Sequence, residues 1–290
     1  MTVYAQTARF DGTARALTED ELYKIAPSVF ATTAHESRSD KFVPVPTIEI
    51  LREAAKHGFE VVGAKQSLTR VEGKAPFTKH LLRLRKIDQD ASYSVGDVIA
   101  EALLKNANDG TCQYDMMAGM FRVRCLNSLV ALLSSVADCK VRHAGRDVIG
   151  KVIEGTYTVL ENAKLALAAP EQWSQVRMDR DESLAFADAA RTIRFGDAEG
   201  NVDSPVTAAQ LLTARRVDDS DRTNLWTNFN VVQENVIRGG LAAVRVNAET
   251  HRRRRMTTRA VNGIDQDVKL NRALWQLADK MAQLKGVTIN

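Results

Sequence analysis

Six arginines fall between positions 245 and 259 (Arg245, Arg252, Arg253, Arg254, Arg255 and Arg259), against one acid, Glu249. That window carries a local net charge of +5, whereas the whole chain carries +4, so the remainder is close to neutral. Concentrated guanidinium charge is suited to phosphate, which it meets with paired N–H donors. No aromatic residue lies in the window to stack on a base, so the expected chemistry is backbone contact by a phosphate-binding arm. A second basic set lies earlier. If residues 79–86 form a strand, alternation places Lys79, Arg83 and Arg85 on one face, and in residues 120–125 it places Arg122 and Arg124 together. Should both strands join one sheet in the matching register, Arg83, Arg85, Arg122 and Arg124 share a face. Arg142, His143 and Arg146 then extend the track. A slip of one residue would turn either pair away.

Other chemistries lack their parts. There is no G-x-x-x-x-G-K-[ST] loop, no G-x-G-x-x-G after a strand, no G-x-S-x-G elbow and no H-E-x-x-H helix. The five histidines are scattered. A metal nuclease could be assembled only from His80, Asp109, Asp115 and His143, which nothing in their spacing brings together. Cys112, Cys125 and Cys139 show no C-x-x-C spacing and are read as buried thiols of a reducing compartment. Neither cofactor nor metal is expected, and the chain is read as non-enzymatic.

These residues must be positioned by recognisable elements. Helices are expected over 18–26 and from Thr47, placed as an N-cap, to Gly58. Strand-like runs at 59–70 and 77–87 flank turn chemistry at 71–74. Asn108-Asp109-Gly110 predicts a second hairpin with arms near 95–105 and 114–125, although 98–104 reads equally well as helix. Beyond Arg146 the periodicity becomes helical: 148–163, 181–193, 207–215 and 221–236. Strands early and helices late predict an α+β fold, an antiparallel hairpin sheet with a long crossing helix and then a helical C-terminal part. The expected organisation is an α+β core over 1–170, a helical extension over 171–244, and a basic arm with a last helix over 245–290. On that helix Leu270, Leu274, Leu277, Met281 and Leu284 alternate steps of four and three, a seam suited either to docking on the chain's own body or to self-association.

The chain has 290 residues, with 44% hydrophobic and 26% charged, which excludes a disordered or low-complexity protein. No apolar run approaches the roughly 18 residues of a membrane span, and the N-terminus lacks the marks of a signal peptide. A cytoplasmic protein is expected.

Several short motifs occur in a telling order: Lys41-Phe42-Val43-Pro44-Val45-Pro46-Thr47 after Ser37, Asn106-Ala107-Asn108-Asp109-Gly110, residues 119–129, Arg142-His143-Ala144-Gly145, and Asn271-Arg272-Ala273-Leu274-Trp275. In order and spacing the chain resembles a phage- and plasmid-borne bacterial family known only as a domain of unknown function. It departs from that pattern at Asn106-Ala107-Asn108, where Asn-Ser-His is usual, and at Ser128, where Gly follows the Asn. The succession of hairpins, strand and crossing helix also resembles the phage single-strand annealing proteins, Red-beta and Erf among them, and their eukaryotic relatives. That resemblance implies a ring or filament that holds single-stranded DNA by its backbone in a basic groove. The Arg252 to Arg255 arm is expected to add affinity or to capture duplex DNA. The alternatives are a mobile-element interaction or anti-defence protein and, third, the metal nuclease.

Overall fold

The computed structural model describes residues 3–5, 15–38, 42, 44, 46–86, 97–122, 138–143, 147–197, 199–202, 204–246 and 250–288. It is α+β and divides into two compact units, Met1–Leu167 and Ala168–Asn290.

The first unit is built on a six-stranded antiparallel sheet in sequence order: β1 (Val3–Ala5), β2 (Phe59–Gln66), β3 (His80–Lys86), β4 (Val98–Asn106), β5 (Tyr114–Arg122) and β6 (Cys139–Val141). Both expected hairpins form. Residues 98–104, which periodicity leaves open, are strand, because the segment pairs with β3 on one side and β5 on the other. Gly110, at φ 74°, supplies the left-handed residue of the β4–β5 turn.

Among the described residues three α-helices accompany the sheet. The helix α1 (Glu19–Ile25) begins with a capping box between Thr18 and Glu21. Next, α2 (Thr47–Lys56) starts at Thr47 itself, with Pro46 in the cap position. The long α3 (Val148–Ala166) packs against β4, β5, β6 and α2. Ile153 and Leu160 of α3 meet Ala54 of α2 and Phe59 of β2 in one apolar cluster. Gly155 permits this close approach, since a Cβ there would stand 2.5 Å from Cys139 Sγ. Its helix-weakening effect, about 1 kcal/mol, is offset by helix–sheet contact. Cys112 and Cys139 are free thiols, half-buried rather than buried.

The second unit is helical apart from one hairpin. It comprises α4 (Ala169–Gln175), α5 (Arg180–Phe195), the single turn α6 (Ala208–Leu211), α7 (Leu225–Arg238), strands β7 (Ala242–Val246) and β8 (Arg253–Thr257), and α8 (Ile264–Leu284). Trp173 of α4, Phe229 of α7 and Trp275 of α8 form its aromatic centre, with Trp173 and Trp275 ring centroids 4.5 Å apart. The expected helix over 207–215 stops after one turn. Downstream of it the loop is held by side chains of α7, where Asn235 Nδ2 donates to the carbonyls of Leu211 and Thr213.

The last helix selects between the two readings of its seam. It packs on α5 and α7 of its own unit, with Leu270 and Leu274 fully buried there, while Leu277 and Met281 are half-buried and Leu284 is exposed. Leu270 and Leu274 therefore serve the unit's own core and are not available to a second copy.

Candidate nucleic-acid interface

The arginine run is a strand. Residues 253–257 form β8, which pairs antiparallel with β7 as an isolated two-stranded ribbon. In its register Arg254 stands directly opposite Arg245, Arg255 opposite Val244, and Arg253 opposite Val246. Opposed residues share a face, so Arg245 and Arg254 lie on one side and Arg253, Arg255 and Val244 on the other. Every residue of β8 is exposed. Among the described residues none of Arg252, Arg253, Arg254 and Arg255 has an ion-pair partner.

The ribbon is mounted on a firm base. Gly239 closes α7 at φ 62°, ψ −146°, a conformation open to glycine, and a Cβ there would meet the Arg259 backbone at 2.6 Å. Arg215 donates to Asn235 Oδ1 (2.6 Å) and to the Gly239 carbonyl. Gln210 Nε2 donates to the Ala242 carbonyl (2.7 Å). Arg216 and Arg238 both pair with buried Glu234, at 2.9 and 2.6 Å, and hold its carboxyl below the usual range in spite of burial.

The sheet does not offer the expected basic face. Arg83 and Arg85 do share a side, but both bind Glu101 of β4, which is 0% exposed. Arg83 donates through Nε (2.7 Å) and Nη2 (3.0 Å) and lies 3.3 Å over the Phe121 ring. Arg85 donates through Nε (3.0 Å) and Nη2, and is only 3% exposed. Its guanidinium is a core group, not a phosphate contact. Arg122 is on the opposite face. Leu103 pairs with Arg83 and with Met117, whereas Arg122 shares the alternation of Met116 and Leu82. The matching register is thus off by one residue, and Arg122 is half-buried on the helix side of the sheet. Lys79 is half-buried beside β3, and Arg142 is exposed after β6. Arg124 and Arg146 lie outside the described residues.

His143, expected on the phosphate track, is buried instead. Its Nε2 meets Asn106 Oδ1 at 2.6 Å, and its ring packs on Phe42 and Tyr114, at centroid distances of 4.5 and 4.6 Å. It ends a buried polar chain. His80 contacts Ser28 Oγ through Nδ1 (2.9 Å) and Thr47 Oγ1 through Nε2 (3.1 Å), and Asn106 Nδ2 donates to the same Thr47 oxygen (3.2 Å). Burial, aided by the neighbouring His143, pushes the His80 pKa down to about 3. Burial also raises the Tyr114 hydroxyl, against the pull of its contacts with Thr47 and Asn106. Ser28, Thr47, His80 and Asn106 are all fully buried, so the Ser28–His80 pair has no route to a substrate and serves to tie α2 to β3 and β4.

The metal-nuclease set is not assembled. Asp109 caps its own turn through Thr111 and pairs with Lys74 (3.1 Å), and Asp115 pairs with Lys105 (3.2 Å). Among the described residues no three His, Cys, Asp or Glu side chains gather as metal ligands would. Two groups escaped the sequence reading. Glu101 carries a signal, as the one charge among the apolar residues of 98–104. The β7 partner of the arginine run carries little, because Ala242–Val246 is short and its own arginine blends into the basic window.

The motifs singled out in the sequence converge here: Phe42 and Thr47 from the first, Asn106 and Asn108 from the second, and His143 from the fourth meet around the buried chain. An α+β protein so built falls within a family defined by sequence alone. Over residues 34–275 the chain matches the family described as Domain of unknown function (DUF932), and it belongs to that family. It is similar to two proteins of Escherichia coli strain K12: UPF0380 protein YafZ, at 39% identity over 267 residues, and UPF0380 protein YfjQ, at 40% over 268, each match covering 92% of both chains. No solved structure matches. No helix among the described residues is long and apolar enough to cross a membrane.

Proposed function

We propose that this protein binds DNA without catalysing a reaction on it, holding the phosphate backbone on the β7–β8 ribbon. One observation carries the reading: the four arginines of the 252–255 run stand exposed along the ribbon, and among the described residues none of them has an ion-pair partner. The narrower activity is annealing of complementary single strands, by an oligomer acting for a phage or plasmid in the bacterial cytoplasm. Its support is the succession of two hairpins and a helix packed on the same sheet. Arg83 and Arg85 no longer contribute to it.

Fluorescence anisotropy with labelled single strands across a salt series tests the proposal. Replacing Arg252, Arg253, Arg254 and Arg255 by Gln flattens the plot of log affinity against log salt by about 3, at roughly 0.7 per phosphate contact. An unchanged slope removes the ribbon from the mechanism. Absence of binding even at low salt overturns the reading, and the ribbon then faces an acidic protein surface.

A further inference from the structure

Resting on the DNA-binding reading, we infer that the β7–β8 ribbon enters the major groove of duplex DNA, the product of annealing, and reads guanine edges through Arg253 and Arg255. A two-stranded ribbon, with strands about 4.8 Å apart and side chains at either edge, fits a groove about 12 Å wide. The deep, narrow major groove of A-form RNA does not admit it. The register decides which face goes in. On the side carrying Arg245 and Arg254 the β7 residue Ala243 is buried, although its cross-strand partner Met256 is exposed, so that side is covered at the β7 base of the ribbon. The opposite side carries Arg253, Arg255 and Val244, and Val244 is 47% exposed. Two arginines and one apolar residue are the groups that recognise a major groove: guanidinium pairs bidentately with guanine O6 and N7, and the valine meets a thymine methyl. Arg252 and Arg254 are left for the flanking phosphates. The ribbon carries no aromatic residue, so stacking on splayed single-strand bases, the usual device for holding them, has no place there.

The test uses the full chain and exchanges Arg253 and Arg255 for Lys, which keeps the charge but loses the planar fork. Expected on G·C-containing duplex is an affinity loss of about five-fold or more, an unchanged salt slope, and little loss on single strands, where there is no groove. Replacing guanine by 7-deazaguanine, which lacks the N7 acceptor, should weaken wild-type binding more than it weakens binding by the Lys variant, whose point-charge ammonium lacks the planar fork. The inference is overturned if the Lys variant binds duplex as wild type does, or loses equally on duplex and single strand. It is overturned too if 7-deazaguanine changes nothing. Any of these results leaves backbone binding by the ribbon standing, because the salt slope reports that separately; no binding to either form of DNA overturns both.

Discussion

His80 is held neutral because its imidazole sits fully buried between Ser28 and Thr47, and a charge there would be stripped of water. This has a consequence for stability. The folded pKa of about 3 lies below the unfolded value of 6.5, so between those values the unfolded chain takes up a proton that the folded chain refuses. Stability from this group is complete above about pH 6.5 and declines as pH falls, by about 1.4 kcal/mol per unit. Urea unfolding at pH 6.5 and pH 5 should show His80→Gln losing about 2 kcal/mol less than wild type over that interval; equal losses would mean that His80 is not the titrating group. Thr47 illustrates what residue type leaves open. Threonine before an apolar helical pattern reads as an N-cap, but its hydroxyl is engaged by His80 and Asn106, partners far along the chain that local spacing does not reveal.

At the scale of elements, the β3–β4 pair shows how a strand face that reads as basic surface becomes core. Alternation correctly places Arg83 and Arg85 together, but what lies opposite is Glu101 on the neighbouring strand. Glu101 is the shared carboxylate of both guanidiniums, and its loss would take that charge partner from Arg85 inside the core and from the partly exposed Arg83. Glu101→Gln should therefore destabilise the protein by about 3–5 kcal/mol, read as a shift in the urea midpoint at constant m-value, and a shift below about 1 kcal/mol would show that the triad is wet. The hairpins were legible because Asn108-Asp109-Gly110 and the 71–74 turn are local signals. The β7–β8 ribbon was legible only as a charge run, since its strands are five residues each and are paired across a connection of their own.

At the scale of the whole molecule, charge is the quantity the sequence states outright. The net of +4 equals the charge of the 252–255 run, so a variant with those four arginines as Gln has no net charge. The rest of the molecule is then without a general attraction for polyanions. That variant should elute from a heparin column at clearly lower salt than wild type and be less soluble near pH 7, with no fall in melting temperature, because exposed substitutions away from packing change stability by about 0.5 kcal/mol or less each. Elution at the wild-type salt would place the polyanion surface elsewhere. By itself the sequence determined the α+β class, the two local hairpins, most helices and the position of the basic segment, because each follows from periodicity, turn residues or composition within a short window. Only the tertiary structure decided which arginines face water. Strand register, the burial of Glu101 between Arg83 and Arg85, the docking of Leu270 and Leu274 inside their own unit, and the meeting of Thr47, His80, Asn106 and His143 all depend on residues distant in the chain. Contacts of that kind are set by which faces can be buried together, and a one-dimensional pattern constrains that choice without making it.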